Sequence, residues 1–392
     1  MKKKVLHIVG GMDIGGTETM LMNLYRTVNT RIQFDFISYY EKEGYYDKEI
    51  RELGGQVISI DSSSKVGMIK SIKNLCKVIK ENGPYDAVHA HTLFNCGVAM
   101  IAAKVSGVNI RVSHAHTNLD SSSNIIKKIY MWCMRKTINL FSTDCIACSE
   151  SAGKYLFGED IFSSEKYRLL PNYVDYKKYL NCHDTDGIRE ELGIKHDDIV
   201  IGHVGRFVDA KNHKFLIEII DEMIKVNKRV KAILVGDGEL KEKIENYAKE
   251  LGIRDSIYFL GIREDIDRIL NNLDVFIFPS IYEGLGLVMI EAQSSGIPCL
   301  VSEAIQKEAD LEIGLVKQIK LSDKKELWVK EAFELIKSKN KNEELILDAI
   351  KNKGYDLDNI VKTLLKIYKL DLELRDIYEL GDIYEKDTDI IF

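Results

Sequence analysis

Two rhythms of apolar and polar positions run along this chain. Short, nearly continuous apolar runs predict buried strands: "KVLHIVG" (4–10), "QFDFIS" (33–38), "QVISI" (56–60), "DAVHAH" (86–91), "IRVSHAH" (110–116), "DCIACS" (144–149) and "YRLLPN" (167–172). Helical spacing falls between them, as in Thr17–Thr27, Val66–Glu81 and Ile125–Phe141. A second series follows, with "DIVIGHVGR" (198–206), "VKAILVGDG" (230–238), "IYFLG" (257–261), "DVFIFPS" (274–280) and "IPCLVS" (297–302). Its helices are expected at His213–Val226, Glu239–Leu251, Ile266–Asn272 and Leu287–Ser295. Strands that are apolar throughout and separated by helices indicate parallel sheets covered on both faces. Two such series predict two doubly wound α/β domains. The polar stretch "NYVDYKKYLNCHDTDG" (172–187) reads as the linker. Pro84, Pro171, Pro279 and Pro298 all lie beside predicted strand ends, where a missing N–H costs little.

Length and composition sharpen this picture. The 392 residues exceed one ordinary core. A net charge of −6 argues against a dedicated nucleic-acid binder. No apolar run reaches the ~18 residues of a membrane span. The start "MKKKVLHIVGG" imitates a signal peptide, but His7 and Gly10 cut its apolar stretch short, as in a first strand. Seven scattered cysteines suggest a reducing cytosol. Cys145 and Cys148 form a lone C-x-x-C on a strand, where positions three apart face opposite ways, so a metal or redox role is not expected there. Residues 371–392 carry eight acids, which reads as a solvated end or, alternatively, a docking segment.

In open α/β sheets ligands bind beyond the carboxyl ends of the strands, and the chemistry-bearing residues gather there. "GGMDIGGTETML" (10–21) opens a helix, and Gly15 and Gly16 would let an anion approach its N-terminus. Met12 breaks the G-x-G-x-x-G dinucleotide fingerprint, which leaves a plain turn capped by Thr17 as the other reading. "GHVGRFVDAKNHKFLI" (202–217) puts Arg206 and Lys211 in one loop, suited to a diphosphate, with Asn212 able to cap the next helix. In "SIYEGLGLVMIEAQSSGIP" (280–298), Glu283 lies in a glycine-bearing loop and Glu291 about a turn into the helix. Carboxylates beside an anion site make sense as acceptors for sugar hydroxyls, which weakens an acid/base reading of the pair. His89 and His91 end one strand, and His114 and His116 end the next. Alternation puts each pair on one face; contacts lining the ligand end are favoured over a metal cluster, so no metal site is predicted.

"GGTE" (15–18), "VGRFVDAKN" (204–212), "GDGEL" (236–240), "FLGIREDI" (259–266) and "PSIYEGLGLVMIEAQSSGIPCLVS" (279–302) occur together and in order. Over about residues 1–370 the chain resembles the retaining glycosyltransferases of family four, which have the GT-B fold. "SHAHTN" and "VSEAIQKEAD" look like members that build capsular or extracellular polysaccharide. The resemblance implies two Rossmann-like domains facing a cleft: 1–175 for the acceptor, 176–356 for the nucleotide-sugar, and 357–392 returning as a helix plus an acidic tail. It also implies that Arg206 and Lys211 hold the donor diphosphate, with Glu283 and His116 at the transferred sugar. Glu291 would grip the ribose, and Gly284, Leu285, Gly286, Leu287 and Val288 would supply backbone amides. Gly16, beside Gly15, would touch the phosphates, and Ile262 and Arg263 would pass the nucleobase. Two departures stand out: Leu285 replaces the usual Phe of E-G-F-G, and "EAIQKEAD" replaces a G-G-x-x-E segment, which leaves the donor sugar open.

The implied partners are a UDP-sugar donor and a glycan or lipid-linked acceptor in the cytoplasm, with no cofactor and no metal. "DTD" (184–186) and "DID" (265–267) fall in the linker and at a helix start, away from strand ends. The segment 124–141 mixes Lys127, Lys128, Arg135 and Lys136 with Ile129, Trp132, Met134 and Phe141, as an interfacial helix at the inner face of the membrane would. A core-packed helix with a basic outer face is the alternative. A nucleotide-sugar epimerase of the same fold and a non-catalytic sugar-nucleotide-binding subunit are the competing functions. Neither nucleic-acid binding nor a particular oligomeric state is implied.

Overall fold

The computed structural model describes residues 2–117, 125–182, 187–370, 372 and 377. It divides into two compact units, 1–173 with 357–392, and 174–356. Each is built on its own parallel sheet.

The first unit holds seven strands: β1 (Lys3–Val9), β2 (Ile32–Ser38), β3 (Val57–Ser59), β4 (Ala87–Ala90), β5 (Ile110–Ala115), β6 (Asp144–Ala147) and β7 (Tyr167–Leu169), in spatial order β3-β2-β1-β4-β5-β6-β7. Val5, Leu6, Ile8, Ala87, Val88, Ile146 and their neighbours are buried, as strands covered on both faces require. The helix Leu357–Ile367 belongs to this unit. Its Ile360, Val361, Leu364 and Leu365 join one core cluster with Leu24, Val28, Ile32 and Phe34. Of the acidic end, Leu372 and Ile377 are described and join the same core; the rest of 371–392 lies outside the described residues.

The second unit holds six strands: β8 (Ile199–Val204), β9 (Val230–Val235), β10 (Ile257–Gly261), β11 (Val275–Phe278), β12 (Cys299–Ser302) and β13 (Val316–Ile319), ordered β10-β9-β8-β11-β12-β13. In both sheets the first strand sits where the order reverses, β1 between β2 and β4 and β8 between β9 and β11. That reversal opens the ligand crevice of doubly wound folds. The fold class is the expected one.

Four local readings need correction. β13 went unpredicted, because "VKQI", at the sheet edge, carries two exposed polar residues at its centre instead of forming an apolar run. The helix expected from Val66 starts at Met68; Gly67, at φ 79°, separates it from a short turn at Ser63–Val66. The expected linker folds in part, into the helix Tyr176–Leu180, while 183–186, with "DTD", lies outside the described residues. The helix after "GGMDIGG" is capped at Gly15, so Thr17 is inside it and half-buried.

Candidate functional site: a strand-end anion clamp in the second unit

The loop after β8 is pinned from beneath. Phe207 is fully buried and stacks on the buried His213, with ring centroids 4.0 Å apart. The Phe207 N–H donates to the Asp237 carbonyl at 3.0 Å. Gly236, at φ 133°, makes room for this: a Cβ there would meet the Gly205 oxygen at 2.1 Å. With Phe207 turned inward, Arg206 is left exposed at the strand end.

The loop after β11 lies against it. The Ile281 N–H donates to the Ala210 carbonyl at 2.8 Å, and Asn212 Nδ2 donates to the Pro279 carbonyl at 3.2 Å. The expected cap role of Asn212 is therefore corrected. It stands at the cap position in the left-handed region (φ 55°), but its amide ties the two loops and makes no cap hydrogen bond. Lys211 Nζ reaches Glu283 Oε1 at 2.6 Å and lies 4.9 Å from the Phe278 ring centre. Both side chains are largely buried.

Gly286 then turns the chain, at φ 86° and ψ 49°, into the helix Leu287–Ser294. Its first N–H groups have no partner within the helix and carry the positive end of its dipole. Leu285, which stands where the commoner pattern has Phe, is buried. Gln306, from the segment that replaces G-G-x-x-E, donates to the Glu283 carbonyl at 3.4 Å and the Ala304 carbonyl at 3.1 Å. A neutral amide thus braces the Glu283 loop from behind.

Glu291 is recessed one turn along. Burial raises its carboxyl to about 7, opposed by the Tyr179 hydroxyl, which donates to it, and by the Lys178 ammonium. Burial, then the Glu291 carboxylate, push the Tyr179 phenol well above its ordinary range. Lys178 itself pairs with Asp267 at 3.1 Å. Sequence reading placed Tyr179 and Lys178 in a linker. The i, i+3 spacing of Tyr176 and Tyr179, with Leu180 after them, was the available signal of a helix.

Ile262 is exposed on the far side of β9, whereas Arg263 is engaged, with Nη1 2.8 Å from Glu191 and Nη2 2.7 Å from Asp265. These bonds hold the Asp265 carboxyl below its usual range. Arg263 fixes the turn after β10 and offers no loose charge.

Gly15, Gly16 and His116 lie in the first unit. Gly15 is extended (φ −160°) and accepts the Thr19 N–H at 2.8 Å as the helix begins, so neither turn glycine is there for a left-handed backbone. His116 joins a stack that sequence reading only partly anticipated, since His7 of β1 belongs to it beside His89, His91 and His114. Cys145 and Cys148 are both buried.

Known protein families match residues in both units. The family described as Glycosyl transferases group 1 matches residues 184–352, and Glycosyltransferase Family 4 matches 14–178. EpsF of Bacillus subtilis (strain 168), a glycosyltransferase by name, is 36% identical over 375 residues, 95% of this chain and 98% of that protein. The chain belongs to glycosyltransferase family four. It is also 30% identical over 249 residues, 60% of the chain and 63% of the relative, to an Escherichia coli UDP-Gal:alpha-D-GlcNAc-diphosphoundecaprenol alpha-1,3-galactosyltransferase. The crystal structure of Anabaena HepE in complex with UDP superposes with a TM-score of 0.75 at 21% identity, covering 93% of this chain and 99% of that one. This glycosyltransferase therefore has the GT-B fold, and its relatives favour sugar transfer over an epimerase.

Proposed function

We propose that this glycosyltransferase moves a hexosyl or N-acetylhexosaminyl group, with retention, from a UDP-sugar to a glycan or lipid-linked acceptor in polysaccharide biosynthesis. What carries this reading is the meeting of Lys211 with Glu283 at the ends of β8 and β11, beside the helix N-terminus at Leu287. The UDP-Gal donor and diphosphoundecaprenol acceptor named for the E. coli relative support the substrate classes.

The second unit is then the donor side. Arg206, Lys211 and the amides of Gly284–Val288 neutralise the diphosphate as it departs. The bond from the anomeric carbon to the diphosphate oxygen breaks, and the acceptor oxygen bonds to that carbon on the same face. The acceptor's proton passes to the leaving diphosphate, so no protein nucleophile is needed, nor a hard metal ion. Glu283 accepts hydrogen bonds from sugar hydroxyls, and Glu291 from the ribose. Ile262 offers an apolar surface to the base while Arg263 braces its turn. The first unit takes the acceptor, with Gly15, Gly16 and His116 at its strand ends.

Membrane contact is proposed through the helix Ile125–Phe141, at the cytoplasmic face where lipid-linked acceptors are found. It exposes Ile125, Ile129, Trp132 and Leu140 beside Lys127, Lys128 and Lys136, and buries Met134 and Ile138. Arg135 is not part of this face, since its Nη2 donates to the Tyr155 carbonyl at 2.7 Å.

The deciding experiment incubates the purified protein with a panel of nucleotide-sugars, with and without membrane extract, and measures nucleoside diphosphate release. Release from a UDP-sugar, increased by extract, is expected. A Lys211→Ala or Glu283→Ala protein that transfers sugar at the wild-type rate would sink the proposed site.

A further inference from the structure

Five imidazoles meet at the centre of the first unit's sheet, on one face of three adjacent strands. His7 of β1 is in register with His89 of β4, and the Ala90–Ser113 register brings His91 beside His114 of β5. Ring centroids are 4.2 Å apart for His89 and His91, and 3.9 Å for His114 and His116. His7 Nδ1 lies 3.1 Å from His91 Nε2, and His91 Nδ1 lies 2.8 Å from His116 Nε2. His89 Nδ1 lies 2.7 Å from the Tyr368 hydroxyl, which comes from just past the C-terminal helix.

The cluster has more buried nitrogen than the chain satisfies. Among the described residues, His7 Nε2, His89 Nε2, His116 Nδ1 and both ring nitrogens of His114 are buried without a hydrogen-bond partner. A buried polar atom left unpaired keeps its full desolvation cost, so something should meet these nitrogens. Neutral imidazole is the form that ligates metal.

We propose that His91, His114 and His116 form a binding site for one borderline transition-metal ion of the zinc, cobalt or nickel class. One ligand atom from each already lies within 4.8 Å of the others. Two nitrogens on a tetrahedral ion at ~2.05 Å stand about 3.3 Å apart, so the His91–His116 contact need open only slightly. His114 is the anchor, because neither of its nitrogens has another task. His91 and His116 are partly buried, less deeply enclosed than His7 and His89. An all-nitrogen set selects against magnesium and calcium, which prefer oxygen. The site is therefore separate from any hard-ion requirement of sugar transfer, and it does not depend on the donor reading above.

The test uses the full chain without a histidine tag, stripped with chelator and then freed of it. Cobalt(II) is titrated while visible d–d absorption is followed, and zinc(II) binding is measured by calorimetry. One ion per chain is expected, with the band intensity of a tetrahedral site. His114→Ala should weaken binding at least ~10-fold, while the exposed His196→Ala control binds as wild type. Wild-type protein that binds no stoichiometric ion, or a His114→Ala protein of unchanged affinity, overturns the proposal. An equal loss in His196→Ala does so too. If circular dichroism shows that His114→Ala does not fold, His91→Asn and His116→Asn replace it, and unchanged affinity in both overturns the site. Nucleoside diphosphate release, measured separately, reports on the transferase reading alone.

Discussion

Lys211 Nζ and Glu283 Oε1 are 2.6 Å apart, so the cation proposed for the diphosphate and the carboxylate proposed for the sugar hold each other. The pair bridges two loops that start from neighbouring strands. A donor diphosphate would draw Lys211 toward itself and free Glu283 to accept sugar hydroxyls. The contact thus keeps both groups in place without donor.

Removing either partner should cost more than one hydrogen bond, because the other is left as a largely buried, uncompensated charge. Lys211→Ala is expected to lower turnover about 10²–10³-fold, the range for losing one group that stabilises developing charge. A Lys211→Ala/Glu283→Ala double variant should lose less than the sum of the single losses on a log scale. Steady-state nucleoside diphosphate release on all four proteins measures this, and strict additivity would show that the pair is not coupled.

Glu291 gives the site a pH dependence. Its carboxyl is raised to about 7 in the folded chain, against an ordinary value of 4.5. Between those values the unfolded chain has lost a proton that the folded chain keeps. Stability from this group is present below about 4.5 and is lost as pH rises through about 7. The full shift corresponds to about 3 kcal/mol, an upper limit because the residue keeps some exposure. Glu291→Gln should flatten the fall of Tm between pH 5 and 8. UDP affinity of the wild type should rise over the same window, since the ionised carboxylate is the better acceptor for ribose hydroxyls. Calorimetry at three pH values tests this, and a flat affinity would remove Glu291 from ribose binding.

Tyr179→Phe removes the hydroxyl that donates to Glu291 and leaves the carboxyl less satisfied. UDP affinity is expected to drop several-fold, with a stability loss of about 1–2 kcal/mol. Thermal melts with and without UDP separate the two effects. A melt that falls with UDP affinity unchanged would make Tyr179 structural only.

Gly236→Ala should act through the backbone. It would place a methyl group 2.1 Å from the Gly205 oxygen at a φ of 133° that side chains avoid. A loss of at least ~2 kcal/mol in urea unfolding is expected, together with weaker nucleotide binding. Gly252→Ala, where φ is 73° but a Cβ meets nothing within 4 Å, should cost less and leave binding intact.

Vesicles containing anionic lipid should sediment the protein, and neutralising Lys127, Lys128 and Lys136 to Gln should release it, with the difference from wild type shrinking at high salt. Arg135→Gln should instead lower stability, since that side chain is hydrogen-bonded to Tyr155. Unchanged sedimentation of the triple variant would leave this helix as a packed element with a basic outer face.

The hydrophobic pattern determined a large part of this protein by itself. Apolar runs too continuous to face water on either side require covered parallel strands, so every strand but β13 and several of the longer helices were legible. The spacing of Glu283 and Glu291 around a glycine-bearing bend, with Arg206 and Lys211 in a single loop, was local enough to read. β13 was missed because an edge strand needs only one buried face, and Tyr179 because a five-residue helix barely establishes a period.

Only the tertiary structure decided which of those residues meet. Lys211 and Glu283 are 72 positions apart, and Glu291 takes its hydroxyl partner from a segment that reads as linker. The histidine stack is the clearest case. Alternation could pair His89 with His91 and His114 with His116, but His7 enters 82 residues earlier than His89, through the strand order β1-β4-β5. Strand order is fixed by how crossovers pack over the whole sheet, a non-local property that no single stretch of sequence carries.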